Sequence, residues 1–384
     1  MNYRINPKNG DKVSILAFGC MRFHKNEDEV RRQVAHAIDM GINYFDTAYI
    51  YPNSEAVLGR VLPKEHRGKV FIATKLPPYF VKKYEDFDKI FNTELSRLQT
   101  DYIDYYLMHM IADAKEWKRL SDLGAQTWLK QKKQEGKIRN AGFSYHGGVA
   151  EFKKLVDAYD WDFTMLQYNF LDEFNQAGYE GVSYAASKGL PVMVMEPLRG
   201  GRLAVNQPEE VMKVWDKSPV KRTPAEWALR WVWNHPEVLT VLSGMNTMEM
   251  IDENIKTASS AEALALTDFE HSLFKEVKQG LMSKTKVLCT GCNYCMPCPQ
   301  GVDIPLCFDC YNSSSSSSKL VSRFYYIFRA NNHNASLCIN CGKCEKHCPQ
   351  KIAIREELGN IKKYFGGPLY KPMRFIIKKF MKLS

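Results

Sequence analysis

The side chains with the clearest capacity for chemistry are cysteines in two runs near the end of this 384-residue sequence. The first run, CTGCNYCMPCP, begins at residue 289, and the second, CINCGKCEKHCP, begins at residue 338. Their thiols belong to Cys289, Cys292, Cys295, Cys298, Cys338, Cys341, Cys344 and Cys348. Thiolates are soft ligands that bind zinc and iron–sulfur clusters, so the two runs predict a metal centre.

The spacing of the cysteines distinguishes between these two kinds of centre. The second run has the C-x2-C-x2-C-x3-C-P pattern of bacterial ferredoxins, and the first differs only in a last gap of two residues. In that pattern three thiolates bind one cluster, and the cysteine before proline binds the other. We therefore expect two [4Fe-4S] clusters. The first would be bound by Cys289, Cys292, Cys295 and Cys348, and the second by Cys338, Cys341, Cys344 and Cys298.

Zinc is the alternative, because paired C-x2-C motifs also build tetrahedral zinc sites. Four thiolates suffice for one zinc ion, however, and zinc does not require triplets at strict spacing that end in Cys-Pro. Cys307 and Cys310 lie outside the ferredoxin pattern, and we expect unligated thiols there rather than ligands. Cys20 is most simply a small buried residue.

A second group of reactive side chains lies in the first third of the sequence. Asp46 and Tyr51 fall in FDTAYIYPNSE, Lys75 ends FIATK, and His109 ends YLMH. A tyrosine with an ordinary pKa of about 10 is a weak acid at neutral pH, but a nearby ammonium favours its phenolate. Lys75, held by Asp46, would supply that charge, and His109 would orient a substrate oxygen. The set makes chemical sense for reduction of a carbonyl, because the ammonium eases proton donation by a tyrosine.

The fold must bring these four residues together. From about Val13 to Ser260, short β-branched runs alternate with amphipathic helical patterns, which is typical of repeated β-α units. The predicted strands are SILAFGC, NYFDTAY, VFIATKL, DYIDYYLMH, NAGFSY, FTMLQYN, PVMVMEP and LTVLSG. Eight units in about 250 residues predict a (β/α)8 TIM barrel, whose reactive groups lie where strands end. A doubly wound sheet is the alternative, but no G-x-G-x-x-G follows the first strand.

These segments carry a resemblance to a known family. Over roughly residues 1 to 262, GINYFDTAYIYPNSEAVLG, FIATK, DYIDYYLMH and GFSYH resemble the aldo-keto reductases in order and spacing. The resemblance implies that the four residues form a catalytic tetrad. It implies Tyr51 rather than Tyr49 as the acid, since the family places its tyrosine five residues after the aspartate. It also implies a nicotinamide cofactor, NADP or NAD, across the barrel mouth. Ser144 and Gln167 would hold its carboxamide, Leu198 would lie by the pyrophosphate, and Glu253 and Asn254 would approach the adenine.

Three positions depart from the family pattern. Tyr145 follows Ser144 where many members have asparagine, and Met195 stands where many have a tyrosine that stacks on the nicotinamide. The stretch VLSGMNTMEMIDEN has neither the lysine nor the arginine that usually binds a 2'-phosphate. The choice between NADP and NAD therefore stays open, and only the resemblance to the family favours NADP.

The composition predicts three regions. Residues 1–280 would form the barrel, residues 281–359 a ferredoxin-like dicluster domain, and residues 360–384 a basic amphipathic tail. The tail would dock on the protein's own surface or contact an acidic partner or an anionic membrane. The six serines at 313–318 predict a solvated connecting loop.

The overall charge and the cysteine distribution indicate which partners and which cellular compartment to expect. The formal charge is +10, yet no basic stripe with interleaved aromatics appears, so we expect no nucleic-acid partner. No run of 18 apolar residues and no secretory signal is found, and ten of the eleven cysteines are clustered rather than spread as disulfides. These features predict a cytoplasmic protein without a transmembrane segment.

The combined prediction is an iron–sulfur oxidoreductase that acts on a small carbonyl or alcohol. Its clusters would relay single electrons to a redox protein partner, sense redox state or stabilise the fold. Nicotinamide transfers two electrons as a hydride whereas each cluster transfers one, so direct coupling needs an intermediary. Two alternatives are an electron-transfer protein with the barrel as docking scaffold, and a redox sensor that binds nicotinamide without turnover. The substrate and the oligomeric state are left open.

Overall fold

The computed structural model describes residues 1–316, 318–368, 370 and 372–374. The chain divides into two compact units. Unit 1 consists of Met1–Leu198 and Arg222–Asp268, and unit 2 consists of Arg199–Lys221 with the chain from Phe269 onward. Unit 2 thus includes residues on both sides of the predicted boundary at residue 280. The two units group residues that lie close together in space, which does not test the predicted boundaries along the chain. The three predicted regions therefore stay a prediction. The predicted helix of the tail begins at Arg374 and lies, beyond that residue, outside the described residues.

Unit 1 contains ten strands, eight of which form a closed parallel barrel. The strands are β1 Tyr3–Ile5, β2 Lys12–Ser14, β3 Leu16–Gly19, β4 Tyr44–Asp46, β5 Phe71–Leu76, β6 Ile103–Met108, β7 Ile138–Tyr145, β8 Phe163–Gln167, β9 Val192–Met195 and β10 Val238–Ser243. The barrel runs from β3 to β9 in chain order, and β10 closes it by pairing with both β9 and β3. Each of the eight predicted strands overlaps one barrel strand. The predicted TIM barrel is therefore confirmed.

Helices alternate with the barrel strands along the first part of the chain. After the last strand, the remaining helices follow one another, and the described residues form no strand between them. Those in unit 1 are α1 Glu27–Asp39, α2 Ser54–Val61, α3 Glu85–Leu98, α4 Ala114–Asp122, α5 Ala125–Gln134, α6 Val149–Asp157, α7 Gly178–Ser187, α9 Pro224–Trp233 and α10 Met248–Ser259. Those of unit 2 are α8 Glu209–Trp215, α11 Asp268–Lys284, α12 Ile304–Ser313, α13 Lys319–Ala330, α14 Lys343–Lys346 and α15 Ile354–Phe365. Short 3-10 helices cover Cys20–Arg22, Lys64–Lys69, Pro78–Phe80, Arg199–Gly201, Ser314–Ser316, Asn331–His333 and Ala335–Leu337.

Side-chain caps begin four of the helices of unit 1, namely α1, α4, α9 and α10. Asn26 accepts hydrogen bonds from the first-turn amides of α1. Thr223 caps α9 by accepting from the Glu226 amide at 3.1 Å, and Pro224 occupies the first helical position. Both caps satisfy amides that have no partner within the helix, and they determine where the chain leaves the preceding loop.

The two short strands before the barrel, β1 and β2, form an antiparallel hairpin that the sequence analysis missed. The hairpin packs at the start of the barrel strands, where the hydroxyl of Tyr105 on β6 donates to Asp11 at 2.6 Å. The same hydroxyl accepts from the buried side chain of Asn6 at 3.2 Å. Tyr105 belongs to the barrel core, so these bonds close the end of the barrel opposite to the strand C-termini.

Unit 2 is built on a small core between α12, α13 and α15. The rings of Tyr326 and Phe365 stack with centroids 4.2 Å apart. The buried guanidinium of Arg323 donates to the carbonyl oxygens of Phe365 at 2.8 Å and Gly366 at 2.7 Å. These bonds satisfy the end of α15, where helical carbonyls have no partner of their own.

The serine run does not form the predicted solvated loop. α12 extends to Ser313, and Ser314 is buried, with its hydroxyl accepting from Lys286 at 2.6 Å and donating to the Tyr311 carbonyl at 2.6 Å. Ser318 then caps α13. Serine hydroxyls hydrogen-bond readily to nearby backbone groups, so this run serves as two helix ends.

A glycine at the crossing of α2 and α3 provides a test of the barrel packing. A Cβ at Gly59 would lie 2.2 Å from the Arg97 carbonyl oxygen and 2.7 Å from the Leu98 carbonyl carbon, which are backbone atoms that cannot move aside. We therefore expect Gly59→Ala to lower the free energy of unfolding by about 1–3 kcal/mol in a urea titration.

Gly359→Ala is the matched control, since Gly359 is also helical and a Cβ there meets nothing within 4 Å. Alanine should stabilise α15 by about 0.5–1 kcal/mol through helix propensity. Equal effects of the two substitutions would contradict the close approach of α2 and α3.

Candidate active site and cysteine ligands

Three of the four predicted catalytic residues lie at the C-terminal ends of adjacent parallel strands. Asp46 is the last residue of β4, Lys75 lies near the end of β5, and His109 directly follows β6. These strands pair with one another in register, so their ends meet at one edge of the barrel mouth. The side chains therefore converge as a (β/α)8 barrel requires for chemistry.

The strongest interaction at this edge is the buried ion pair of Lys75 and Asp46. The ammonium Nζ lies 2.6 Å from Asp46 Oδ2 and donates to the Thr47 carbonyl oxygen at 2.7 Å. Lys75 is 1% exposed and Asp46 is 4% exposed. Burial raises the pKa of Asp46, and the charge of Lys75 opposes that rise. The ammonium is thus held in one position in a region of low dielectric, where its field is strong.

Tyr51 lies beside this ammonium. Lys75 Nζ is 5.0 Å from the centroid of the Tyr51 ring. The Tyr51 ring meets the imidazole of His109 edge to face, with centroids 5.8 Å apart. Tyr49 has different neighbours, because its ring contacts the guanidinium of Arg97 at 4.5 Å and the ring of Phe80 at 6.0 Å. The geometry thus groups Tyr51, and not Tyr49, with the other three residues.

His109 is held as a neutral imidazole. Burial is the largest cause that lowers its pKa well below the usual value, followed by the charges of Lys75 and His146. A neutral imidazole can donate one hydrogen bond to an oxygen without adding a second positive charge beside the ammonium.

Several buried residues behind the ion pair were missed by the sequence analysis. Glu55 accepts from Thr74 at 2.5 Å and from Arg97 at 3.0 Å, and burial raises its pKa. Glu94 is fully buried and accepts from Tyr106 at 2.6 Å. Both acids lie on helices, at positions that a sequence reader assigns to solvent, and only packing shows that they face the strands.

His146 is a further missed residue, although it ends the motif GFSYH. It is buried close to His109, and burial lowers its pKa to about 4, against the effect of a hydrogen bond with Gln176. Its position two residues after the predicted cofactor ligand Ser144 was the available signal.

The residues predicted to hold the carboxamide of a nicotinamide lie on neighbouring strands. Ser144 and Gln167 are near the ends of β7 and β8, and both are buried. The hydroxyl of Ser144 accepts from the Met110 amide at 2.8 Å. The amide of Gln167 donates to Asp172 at 2.8 Å and accepts from Gln176 at 2.6 Å. These side chains already form hydrogen bonds with loop residues of the protein, and a bound carboxamide would be an additional partner.

The remaining predicted cofactor residues lie after β9 and on α10. Leu198 is half-buried, and Asn254 is buried with its amide donating to Ser243 at 3.1 Å. Glu253 is exposed and accepts a hydrogen bond from the hydroxyl of Thr223. The first turns of α10 carry no lysine or arginine, since Lys256 is the first basic residue of that helix.

Tyr145 and Met195, the two residues that differ from the family pattern, also differ from each other in solvent exposure. Tyr145 is buried and donates to the Gly148 carbonyl at 2.8 Å, whereas Met195 is only partly buried at the end of β9.

In unit 2, four predicted cluster ligands line one cavity. They are the three leading cysteines of the first run and the Cys-Pro cysteine of the second, namely Cys289, Cys292, Cys295 and Cys348. Among the described residues, no three His, Cys, Asp or Glu side chains lie close enough to bind a single metal ion. A ferredoxin-type [4Fe-4S] cluster takes three thiolates from one cysteine run and a fourth from the Cys-Pro cysteine of the other run. This donor set fits an iron–sulfur cluster.

The two cysteine runs have the same backbone conformation at equivalent positions. Two residues after the first cysteine of each run, Gly291 and Asn340 have positive φ angles of 70° and 58°. Two residues further along, Asn293 and Gly342 have φ angles of 67° and 74°. Glycine and asparagine are the residues that best tolerate this left-handed conformation. The same two residue types therefore occur in opposite order at the two left-handed positions, although only the second run continues into a helix, α14.

The equivalence continues beyond the Cys-Pro step. The third residue after Cys298 is Gly301 and the third after Cys348 is Lys351, and both have positive φ, 72° and 49°. A helix then begins six residues after each cysteine, α12 in one case and α15 in the other. Unit 2 thus contains an internal repeat of loop and helix.

The thiols of the second set are less buried than those of the first. Cys341 is exposed, and Cys298, Cys338 and Cys344 are half-buried. The spare pair, Cys307 and Cys310, lies inside the core of unit 2 on α12, where burial raises the pKa of each thiol to about 12. Cys20 is also fully buried, next to Asp46 and Lys75.

The chain segment after Leu198, which unit 2 includes, places two arginines near the first cysteine run. Arg199 is buried and donates to the Leu288 carbonyl at 3.2 Å, and Arg202 pairs with Asp309 at 3.3 Å. Burial raises the pKa of Cys289, and the charges of these two arginines oppose that rise. The sequence analysis did not identify either arginine.

Comparisons with known proteins match both the barrel and the cysteine-rich part of the chain to known families. A family model described as "Aldo/keto reductase family" matches residues 15–278, and a model described as "4Fe-4S dicluster domain" matches residues 288–353. None of the helices in the described part of the chain combines the length and hydropathy that a membrane span requires.

Individual relatives match mainly the barrel. L-galactose dehydrogenase of Arabidopsis thaliana is 27% identical over 292 residues, covering 67% of this chain and 88% of the relative. NADH-specific methylglyoxal reductase of Escherichia coli is 25% identical over 285 residues, covering 63% and 85%. The holo form of an aldo-keto reductase from Bacillus halodurans superposes with a TM-score of 0.62 at 27% identity, covering 72% of this chain and 96% of that one.

The buried histidine His146 leads to a testable pH dependence. Its pKa of about 4 in the folded protein lies below the ordinary value of 6.5. The unfolded chain therefore binds the proton first as the pH falls, and stability is lost below about pH 6.5. His146→Gln should reduce the loss of unfolding free energy between pH 7.5 and pH 5 by about 2 kcal/mol.

Denaturant unfolding at the two pH values measures this difference. His24→Gln, at an exposed position, is the control for loss of an imidazole. If wild type and His146→Gln lose the same stability on acidification, the imidazole is not buried as a neutral group.

Proposed function

Because the chain belongs to the aldo/keto reductase family, we propose that it is a nicotinamide-dependent oxidoreductase that reduces a small carbonyl compound or oxidises the corresponding alcohol. The observation that carries this proposal is the buried Lys75 ammonium, which lies between Asp46 and the ring of Tyr51. The names of two relatives, L-galactose dehydrogenase and methylglyoxal reductase, support a small polar substrate of this class.

Tyr51 is the proposed general acid. The ammonium of Lys75 is fixed by Asp46 and by the Thr47 carbonyl, so its charge favours the phenolate form of the adjacent tyrosine. In reduction the Tyr51 hydroxyl gives its proton to the substrate oxygen, and in oxidation the phenolate takes the proton back. The neutral imidazole of His109 orients the same oxygen by a hydrogen bond.

Ser144 and Gln167 are the proposed residues that position the nicotinamide, and the cofactor, when bound, supplies or accepts a hydride. Both polar side chains are buried at the ends of β7 and β8, which suits a flat carboxamide-bearing ring at the barrel mouth. Leu198, Glu253 and Asn254 are proposed to contact the rest of the dinucleotide. The family resemblance favours NADP over NAD. The first turns of α10 carry no basic residue that could bind a 2'-phosphate, which weakens the preference for NADP.

Unit 2 is proposed to hold two [4Fe-4S] clusters, which supply one-electron transfer when bound. The cavity lined by Cys289, Cys292, Cys295 and Cys348 supports the crossed set of ligands for the first cluster. The second set is supported by the equivalence of the two cysteine loops. We also propose a one-electron redox protein as partner. A cytoplasmic location is proposed because none of the eleven cysteines is paired in a disulfide, as expected in a reducing compartment.

The proposed role of Tyr51 can be tested against its neighbour. Tyr51→Phe removes the acidic hydroxyl and keeps the ring, so we expect kcat for an aldehyde to fall by about 10²- to 10⁴-fold. Nicotinamide binding, followed by quenching of protein fluorescence, should be unchanged. Tyr49→Phe is the matched control and should retain wild-type kcat, because Tyr49 contacts Arg97 and Phe80 instead.

Loss of activity in Tyr49→Phe but not in Tyr51→Phe would reverse the assignment. A fully active Tyr51→Phe variant would refute the general-acid mechanism. Binding of nicotinamide without turnover of any aldehyde or ketone by the wild type would favour the redox-sensor alternative.

The crossed ligand sets predict which pairs of cysteine substitutions act on one cluster. We expect about eight irons per chain in anaerobically purified protein and about four in Cys348→Ala. Cys292→Ala combined with Cys348→Ala should remove no further iron, because both thiols would bind the first cluster. Cys341→Ala combined with Cys348→Ala should remove nearly all of it.

Iron and sulfide analysis measures these contents, with Cys310→Ala as the control, since Cys310 lies in the core of unit 2. The opposite result for the two double variants would show that each run binds its own cluster. One zinc ion in place of iron in the wild type would refute the cluster proposal itself.

A further inference from the structure

Helix α13 has two apolar faces, and only one of them belongs to the core of unit 2. Tyr326, Ile327 and Ala330 are buried on the inner face. The outer face carries five large apolar side chains that are 39% to 59% exposed. They are Leu320, Val321, Phe324, Tyr325 and Phe328. Their spacing along the helix places them on one continuous stripe.

The segment after α13 adds to this surface. The amide of Ala335 donates to the hydroxyl of Tyr326 at 2.8 Å, which fixes the segment to α13. Leu337 and Ile339 then follow, and they are 38% and 63% exposed. Exposed apolar surface of this extent is uncommon on a monomeric protein and marks a site of interaction.

The positive charge of the chain is concentrated in the part of the sequence that begins with α13. Residues 319–384 contain fourteen lysines or arginines and three acids, a net charge of +11 against +10 for the whole chain. Helix α13 has no acidic residue, and basic residues stand near both of its ends, at Lys319 and Arg329. Lys362 and Lys363 on α15 are exposed.

The combination of an apolar stripe and a basic surrounding favours a lipid surface as the partner. Helices that bind at a membrane interface insert aliphatic and aromatic side chains while their lysines and arginines contact anionic headgroups. Redox proteins that exchange electrons meet through small, transient interfaces, which do not call for a stripe of five large apolar side chains. A convex helix face also suits a broad lipid surface better than it suits an extended peptide.

We propose that the outer face of α13, with the basic residues around it, is a docking surface for membranes that contain anionic lipids. The protein would bind peripherally, with Phe324 and Phe328 inserted at the interface. The proposal concerns unit 2 alone and does not depend on the proposed catalytic function. Arg374 donates to Asn332 at 3.3 Å, so its positive charge lies close to the end of α13.

Vesicle co-sedimentation of the full-length protein tests this surface. Wild type should bind vesicles of phosphatidylcholine mixed with phosphatidylglycerol, bind pure phosphatidylcholine vesicles far less, and dissociate as salt is raised. The double variant F324Q/F328Q should bind the anionic vesicles at least about tenfold more weakly, because two buried rings are lost from the lipid interface.

Phe269→Gln is the matched control, since Phe269 lies on α11 in the same unit and is 49% exposed, as is Phe324. It should bind as wild type does. Unchanged iron content in the three proteins would show that unit 2 remains folded.

Anionic-vesicle binding that is the same in F324Q/F328Q as in wild type would overturn the proposal and assign any binding to charge alone. Failure of the wild type to bind either kind of vesicle, with retention on immobilised polyglutamate, would also overturn it. That second result would assign the basic region to an acidic protein partner.

Discussion

The barrel mouth depends on one buried charge, the ammonium of Lys75. Asp46 and the Thr47 carbonyl satisfy it, and removing one partner of such a buried pair costs about 3–5 kcal/mol. The position of this charge explains the chemistry around it. The ring centroid of Tyr51 lies 5.0 Å from the ammonium, and burial together with the same ammonium lowers the pKa of His109. Glu55, held by Thr74 and Arg97, adds a buried carboxylate behind the pair.

Unit 2 has a comparable constraint in its thiols. Four of them face one cavity, and the backbone reaches that arrangement by placing glycine or asparagine in the left-handed conformation at equivalent points of two loops. Small domains whose ligands gather in this way often gain much of their stability from the bound metal. The core of α12, α13 and α15 is correspondingly small, and a second apolar stripe on α13 remains outside it.

The two parts of the chain handle electrons differently. The barrel residues suit movement of a proton together with a hydride, whereas the cysteine loops suit single electrons. The buried Arg199, which follows Leu198 in the chain, donates to the carbonyl of Leu288, one residue before Cys289.

The sequence by itself determined the barrel, the four residues at its mouth and the eight cysteines, because strand periodicity and ligand spacing are local patterns. It also marked the departures at Tyr145 and Met195. It could not show the hairpin β1–β2, whose strands are three residues long, or the burial of Ser314. Only the tertiary structure showed His146 beside His109, the buried acids Glu55 and Glu94, and the exposure of the α13 stripe. These features depend on which helix faces meet the strands, and that is decided by packing between residues far apart in the chain.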